Sequence, residues 1–360
     1  MKRAILHFYS ANNLGDDLFV GIITCRYDAI FTLITYQHND YFSKISNTRL
    51  TSGNFNKFLS RTLKFITGRN NPLLRYHAKT NDLMVYAGVS IFIEGNNAGH
   101  WVKEADFYNS LRIPYYLLGS NIGPYESDSF LSTIKIILNG AEDVCLRDTA
   151  SYDLVKDLPN ARVASDIAFT LDTSPYDTTS DKLAVFSVIN CDDRFSPKIT
   201  QKYEQEIAKL SRNLAAAGYR VVLMSFCKYE GDEDAIRRII TNGGEGFKEI
   251  VSTHYYNGDL EKSLALLAKS EIIVASRFHG AILGLLFGKK VLPMAYSSKT
   301  TNILKDMSFR GPIIDINNIY EFDGSSFNFS TLEVNNVSDQ VKLAEKQFQE
   351  LDKVLEKRKK

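Results

Sequence analysis

The chain has 360 residues, 44% hydrophobic and 24% charged, with a formal net charge of +1 at neutral pH. That length exceeds one ordinary core and fits two domains of a globular protein in water. The near-zero charge excludes a nucleic-acid binder that works by neutralising phosphates, and no apolar run is long enough to span a membrane. The four cysteines, Cys25, Cys145, Cys191 and Cys227, are far apart in the chain and show no metal or redox spacing. They read as reduced thiols, which together with an apolar N-terminal run too short for a signal peptide gives the expectation of a cytoplasmic protein.

In chain order, Arg3 to Tyr9 reads as a strand, followed by the turn Ser10-Ala11-Asn12-Asn13-Leu14-Gly15-Asp16-Asp17 and an apolar segment, Leu18 to Ile30, predicted helical. The turn lacks both G-x-G-x-x-G and a Walker lysine. Its carboxylates, Asp16 and Asp17, would repel a phosphate and accept hydrogen bonds from hydroxyls, while Asn13 can donate and accept. The turn therefore reads as a polyol-binding or base-supplying loop, or more simply as a helix cap. Residues from about 39 to 79 are polar and weakly patterned, with a predicted helix near Phe55 to Thr67. Leu83 to Tyr86 begins a strand, and Glu94-Gly95-Asn96-Asn97-Ala98-Gly99-His100-Trp101 gathers an acid, two amides, a His and the only Trp. Trp and Asn suit a sugar site, where a ring face stacks on C–H groups and amides hold hydroxyls; a surface turn uses Gly and Asn too. Ile113 to Leu118 is a predicted strand, followed by Gly119-Ser120-Asn121-Ile122-Gly123-Pro124 and a helix to Leu138. Val144 to Leu146 leads into Arg147-Asp148, and Arg162 to Ala164 closes the first half.

Asp172 to Asp181 is a linker by composition. The second half predicts strands at Leu183–Val188, Tyr219–Ser225, Glu249–Ser252 and Glu271–Ala275, alternating with helices at Lys198–Ala217, Asp232–Ile240 and Leu260–Ala268. Successive strand-turn-helix units indicate parallel sheets with helices on both faces. The last of these strands meets Ser276-Arg277-Phe278-His279-Gly280, then an apolar helix ending at Gly288 and a strand to Ala295. Ligands of open α/β sheets bind at the carboxyl ends of strands, and a helix start there presents N–H groups to anions. Arg277 can fork onto a carboxylate or phosphate, and His279 can exchange a proton near neutral pH. The alternative is a structural ion pair and a packing histidine. The tail from Ser338 has helical charge patterning and ends in the basic cluster Lys357-Arg358-Lys359-Lys360, which reads first as a frayed end and second as a contact with anionic lipid.

Asn13-Leu14-Gly15-Asp16-Asp17, Gly119 through Pro124, Arg147-Asp148 with Ser151, Asp166 with Phe169, and Ser276 through Gly280 with Tyr296 and Lys299 occur in one order. That order resembles the polysaccharide pyruvyl transferases from about residue 10 to residue 304. One departure is Ala87-Gly88-Val89, where members often carry three glycines. The resemblance implies an α/β fold of two Rossmann-like domains facing a cleft, as in GT-B enzymes. It divides the chain into 1–171 on the acceptor side, 182–332 on the donor side, and a C-terminal helix with a basic tail over 333–360.

The implied activity moves a pyruvyl group from phosphoenolpyruvate to a sugar of a surface or capsular polysaccharide, forming a ketal, with phosphoenolpyruvate as co-substrate and no cofactor or metal. The acceptor is free or polyprenyl-pyrophosphate-linked, with peripheral contact at the inner membrane surface and no nucleic-acid partner. On this reading Arg277, Lys299, Arg147, Ser276 and Gly280 bind the donor. His279 is the acid, with Asp16 and then Glu94 as candidate bases. Asn13, Asp17, Asn96, Asn97, His100, Trp101 and Asn121 bind the acceptor. The alternatives are a GT-B nucleotide-sugar glycosyltransferase and a non-catalytic sugar-binding relative. The absence of Asp or Glu between Gly280 and Ser298 counts against a nucleotide donor.

Overall fold

Residues 1–35, 40–51, 58, 60–62, 70–88, 92–95 and 99–358 are described by the structure, a computed structural model, with Asp40, Ser298 and Lys299 described in backbone only. The chain divides into two units: Met1–Ser10 with Asp16–Thr170 and Gln340–Lys360, and Ala11–Gly15 with Leu171–Asp339.

The first unit is built on a parallel sheet of order β3-β2-β1-β4-β5-β6-β7. Its strands are β1 Lys2–His7, β2 Ala29–Ile34, β3 Thr48–Thr51, β4 Leu83–Ala87, β5 Tyr115–Ser120, β6 Asp143–Leu146 and β7 Ala161–Val163. The predicted helix Leu18–Ile30 is a helix at Leu14–Arg26 followed by β2. Arg26-Tyr27-Asp28 are a short polar break between two apolar runs, and a buried helix and a buried strand on either side of it look alike in periodicity. A long-range cap sets it: Asn47 Nδ2 donates to the carbonyls of Thr24 (3.0 Å), Tyr27 (3.3 Å) and Ala29 (3.0 Å). Most of the helix predicted at Phe55–Thr67 lies outside the described residues.

The second unit carries the parallel order β10-β9-β8-β11-β12-β13. Its strands are β8 Leu183–Val188, β9 Arg220–Ser225, β10 Val251–Tyr255, β11 Ile272–Ala275, β12 Lys290–Ala295 and β13 Ile314–Asp315. β8 and β11 are buried along their whole length, as expected of strands covered by helices on both faces. The helix Pro197–Ala216 starts on a Ser196 cap with Pro197 at its first position, and Tyr203, Ile207, Leu210 and Leu214 form its inward stripe. In both sheets the strand order reverses between a first strand and its non-sequential neighbour: β1 and β4 in one, β8 and β11 in the other.

The C-terminal stretch is not a separate helical domain. A helix at Ser338–Ala344 gives way to short 3₁₀ turns, and residues from Gln340 onward belong to the first unit. Arg26 forks onto Asp352 (Nε–Oδ1 3.0 Å, Nη2–Oδ2 2.9 Å), Tyr27 donates its hydroxyl to the same carboxylate at 2.7 Å, and Phe348 lies under the guanidinium. Fully buried Gln347 accepts from Gly119 N–H (3.0 Å) and donates to the carbonyl of Ser165 (3.0 Å), with longer contacts to Leu146 and Ala164. Among the described residues, no helix is long and apolar enough to cross a membrane.

Replacing Gln347 with Ala orphans the buried Gly119 N–H and a set of carbonyls, so the chain should lose about 2–3 kcal/mol of stability. A urea titration should show a lower midpoint at unchanged slope; an unmoved midpoint would mean the tail only rests on the first unit.

Candidate active site

The Arg277–His279 corner sits at the reversal point of the second sheet, where β11 ends beside β8. Arg277 is extended (φ −82°, ψ 133°) and leads into the helix Phe278–Leu286. The corner is pinned to both neighbours. Ser276 N–H bonds the Ser187 carbonyl (3.1 Å), and Tyr203 donates its hydroxyl to Ser276 Oγ (2.8 Å). A Cβ on Gly280 would lie 2.3 Å from Ser187 Oγ, so only glycine lets the helix start this close to β8. Ser276 and Gly280, expected on the donor, are thus occupied in building the turn.

Arg277 is held by two carboxylates. Its Nε donates to Asp232 Oδ2 at 2.9 Å, its Nη2 to Asp232 Oδ1, and its Nη1 to Glu230 Oε2 at 2.6 Å. Asp232, fully buried, also accepts the backbone N–H groups of Phe226 (3.0 Å), Cys227 (2.9 Å) and Asn190 (3.3 Å). It therefore ties together the segments following β8 and β9 and the end of β11. Burial works against the Arg277 charge, but Asp232 and then Glu230 override it and raise its pKa well above the usual value. Burial would likewise raise the Glu230 carboxyl, yet Arg277 and then Arg194 hold it below its ordinary 4.5. Arg194 Nη2 donates to Glu230 Oε2 at 2.9 Å, on the same oxygen that Arg277 holds.

Residues 11–15 complete this corner. Leu14 N–H bonds the Phe226 carbonyl (3.0 Å), Asn13 pairs with Cys227 in an antiparallel bridge, and Asn13 Nδ2 reaches Glu230 Oε1 at 3.4 Å. A Cβ at Gly15 would fall 1.7 Å from His279 Nδ1, so Gly15 is what lets the imidazole lie against the chain here. Asn13, expected on the acceptor, is engaged with the Glu230 carboxylate. Asp16 and Asp17 are buried acids in the first turn of the helix Leu14–Arg26.

Several expected ligands serve the first unit's own architecture. Arg147, buried, pairs with Asp166 (3.0 Å) and Asn121 (2.9 Å), so the predicted donor-binding Arg and acceptor-binding Asn meet each other. Trp101 donates to the Ile93 carbonyl at 2.9 Å and packs on Phe92 and Phe130, with exposed His100 at its edge; it is a core cover rather than an open sugar platform. Glu94 accepts from the N–H groups of Glu126 (2.5 Å) and Ser127 (2.9 Å) and from the Ser127 hydroxyl. The Ser127 hydrogen bond, followed by the backbone ones, lowers its pKa, which opposes a role as base. Asn96 and Asn97 lie outside the described residues, and so does the Lys299 side chain. Glu230, Asp232 and Arg194 are not among the residues that the sequence singles out; the acid-Gly-acid run Glu230-Gly231-Asp232 after β9 is the available signal.

A family model described as polysaccharide pyruvyl transferase matches residues 13–298. The amylovoran biosynthesis protein AmsJ of Erwinia amylovora is 24% identical over 281 residues, covering 69% of this chain and 64% of that protein, so the chain spans under two thirds of that relative. Among solved structures, the UDP-GlcNAc 2-epimerase of Neisseria meningitidis aligns over 97% of this chain and 100% of its own at a TM-score of 0.54 and 9% identity. The UDP-GlcNAc 2-epimerase of Methanocaldococcus jannaschii aligns over 98% and 100% at 0.55 and 8%. At that identity the structural likeness shows the fold alone, which is α/β and GT-B-like.

Arg277→Ala would strand the buried Asp232 without its cation, while Glu230 keeps Arg194. It should cost about 3–5 kcal/mol, seen as a large drop in melting temperature, whereas Arg277→Lys should lose less. Because the folded state depresses the Glu230 pKa, its contribution to stability is present above the ordinary 4.5 and lost as pH falls below it. Denaturation between neutral pH and pH ~3 should show that loss, with a shallower slope in Glu230→Gln; an unchanged slope would contradict the assignment.

Proposed function

This chain belongs to the polysaccharide pyruvyl transferase family, and we propose that it transfers the pyruvyl group of phosphoenolpyruvate to a sugar of a surface polysaccharide or its lipid-linked precursor, forming a cyclic ketal and releasing phosphate. The observation that carries this reading is the placement of Arg277 and His279 together at the reversal point of the second sheet, beside a helix start. Such a corner suits a small ligand bearing a carboxylate and a phosphate.

In the proposed reaction His279 delivers a proton to the methylene carbon of phosphoenolpyruvate, leaving an oxocarbenium-like centre at C2. One sugar hydroxyl adds to that carbon and loses its proton to a base. A second hydroxyl then replaces the phosphate, which departs with the C2–O bond electrons and takes up a proton. Of the two candidate bases we keep Asp16, since Glu94 is bound to a helix start and its proton affinity is reduced. Asp232 keeps Arg277 oriented, and three of the five guanidinium N–H groups go to carboxylates. Among the described residues that leaves two to meet a donor oxygen. Amylovoran biosynthesis, named for the Erwinia amylovora relative, supports a polysaccharide setting.

Phosphoenolpyruvate should raise the melting temperature of the purified chain while UDP-sugars leave it unmoved. His279→Gln should keep that shift yet slow phosphate release, with glycan precursors from the producing cells as acceptors, by roughly 10²–10⁴-fold. Stabilisation by a UDP-sugar alone would overturn the reading in favour of a glycosyltransferase.

A further inference from the structure

Two guanidinium groups, Arg194 and Arg277, donate to one oxygen, Glu230 Oε2, at 2.9 and 2.6 Å. Neither depends on Glu230 for its place. Arg277 is forked onto Asp232, and Arg194 donates its Nη1 to the Asn190 carbonyl (3.0 Å) with its guanidinium over the Tyr296 ring at 5.3 Å. Asn190 follows β8 and Tyr296 follows β12, so the two cations are set by the same strand ends that bound the corner. Their point of convergence is a preformed place for an oxyanion, filled by the protein's own carboxylate.

We propose that Arg194 and Arg277 form an anion subsite of the donor, and that the Glu230 carboxylate occupies it as a stand-in which an anionic ligand displaces. The proposal rests on the phosphoenolpyruvate reading for the ligand's identity, though not for the subsite's existence. Of the two acids in the turn, Glu230 is the one able to leave. Its side chain is 22% exposed against 0% for Asp232, and beyond the two Arg groups its side-chain contact among the described residues is the long 3.4 Å one from Asn13. Asp232 is fixed by three backbone N–H groups as well as by Arg277. Glu230 ends a short 3₁₀ turn, Lys228–Glu230, and Gly231 after it holds a left-handed φ of 82°. With Glu230 in place, two guanidinium charges face two carboxylates; once it swings out, the corner gains one net positive charge. A donor with carboxylate and phosphate groups on one carbon frame needs that gain, and Arg194 makes the recognition two-pronged.

The alternative is that Glu230 merely orients Arg277, and the two roles predict opposite signs. Isothermal titration of the full chain with phosphoenolpyruvate, inorganic phosphate and a UDP-sugar distinguishes them. Glu230→Gln should bind phosphoenolpyruvate several-fold tighter, since a competing charge is gone. Arg194→Gln should bind it roughly tenfold more weakly, with the conservative Arg194→Lys in between. Should Glu230→Gln fail to fold, Glu230→Asp, whose carboxylate is withdrawn by one methylene, should shift affinity in the same direction. Weaker binding in Glu230→Gln, or unchanged binding in Arg194→Gln, overturns the subsite. If the wild type ignores phosphoenolpyruvate but takes the UDP-sugar, with the same opposed response of the two variants, the donor reading falls and the subsite stands. If phosphoenolpyruvate binds and is turned over while both variants bind it as the wild type does, the subsite falls and the donor reading stands.

Discussion

The Arg277 corner of the candidate site hangs on one buried carboxylate. Asp232 receives two N–H groups of Arg277 and three backbone N–H groups from the segments that follow β8 and β9. A buried carboxylate and a buried guanidinium are each expensive to desolvate, and a bare pair would scarcely repay that cost. Here the backbone donors complete the carboxylate's demand, so the pair is satisfied rather than merely neutral. The consequence is mechanical: three strand ends that would otherwise be independent loops share one anchor, and Arg277 keeps a single orientation before any ligand arrives. That is the pre-organisation an electrostatic site needs, because reorienting dipoles during the reaction would raise the barrier.

The same anchor changes what Arg277 contributes. Its charge is matched by Asp232, so its value to an incoming anion lies in directed N–H groups more than in net charge. Any surplus positive charge has to come from elsewhere, and among the described residues the helix start Phe278–Leu286 and Arg194 are sources within this unit. His279 is positioned by a different device. Gly15 has no side chain to fill the space that the imidazole takes, so backbone and ring approach directly. A glycine in a polar turn reads in sequence as turn chemistry; its meaning here is close approach to a residue 264 positions away in the chain.

How much of this could be read in advance follows from what each signal depends on. β8 is foreseen to the residue, Leu183–Val188, because a buried parallel strand is a continuous apolar run bounded by polar turns. The helix Pro197–Ala216 is foreseen within a residue or so, since cap, proline and stripe are all local. β2 is missed because the end of the preceding helix is set by Asn47, a side chain beyond the strand itself. The Arg-x-His corner is legible as a pattern, but its partners are not: Glu230 and Asp232 come from the turn after β9, brought alongside only by the sheet order. Trp101, Glu94 and Arg147 show the reverse case, in which the structure gives an expected ligand a structural partner. Each is a residue type that sugar or anion sites use, and each is equally suited to covering a core, capping a helix or closing a buried ion pair. Residue type narrows the chemistry; the partner decides the role.

Glu230 and Asp232 make that point at the smallest scale. They are nearly the same acid, separated by Gly231, and the left-handed turn at that glycine sends one inward and leaves the other at the rim. A Cβ at Gly231 would lie 2.7 Å from Asn190 Nδ2, so the turn tolerates no side chain between them. The inward acid meets backbone donors and becomes part of the scaffold. The outward one meets only side-chain donors and retains access to water, so exchanging it for another oxyanion disturbs no backbone hydrogen bond. A site that must stay neutral when empty and become cationic to receive a multiply charged ligand needs both kinds of carboxylate, one fixed and one removable. Placing them two residues apart on a glycine hinge is a direct way for a chain to supply that pair.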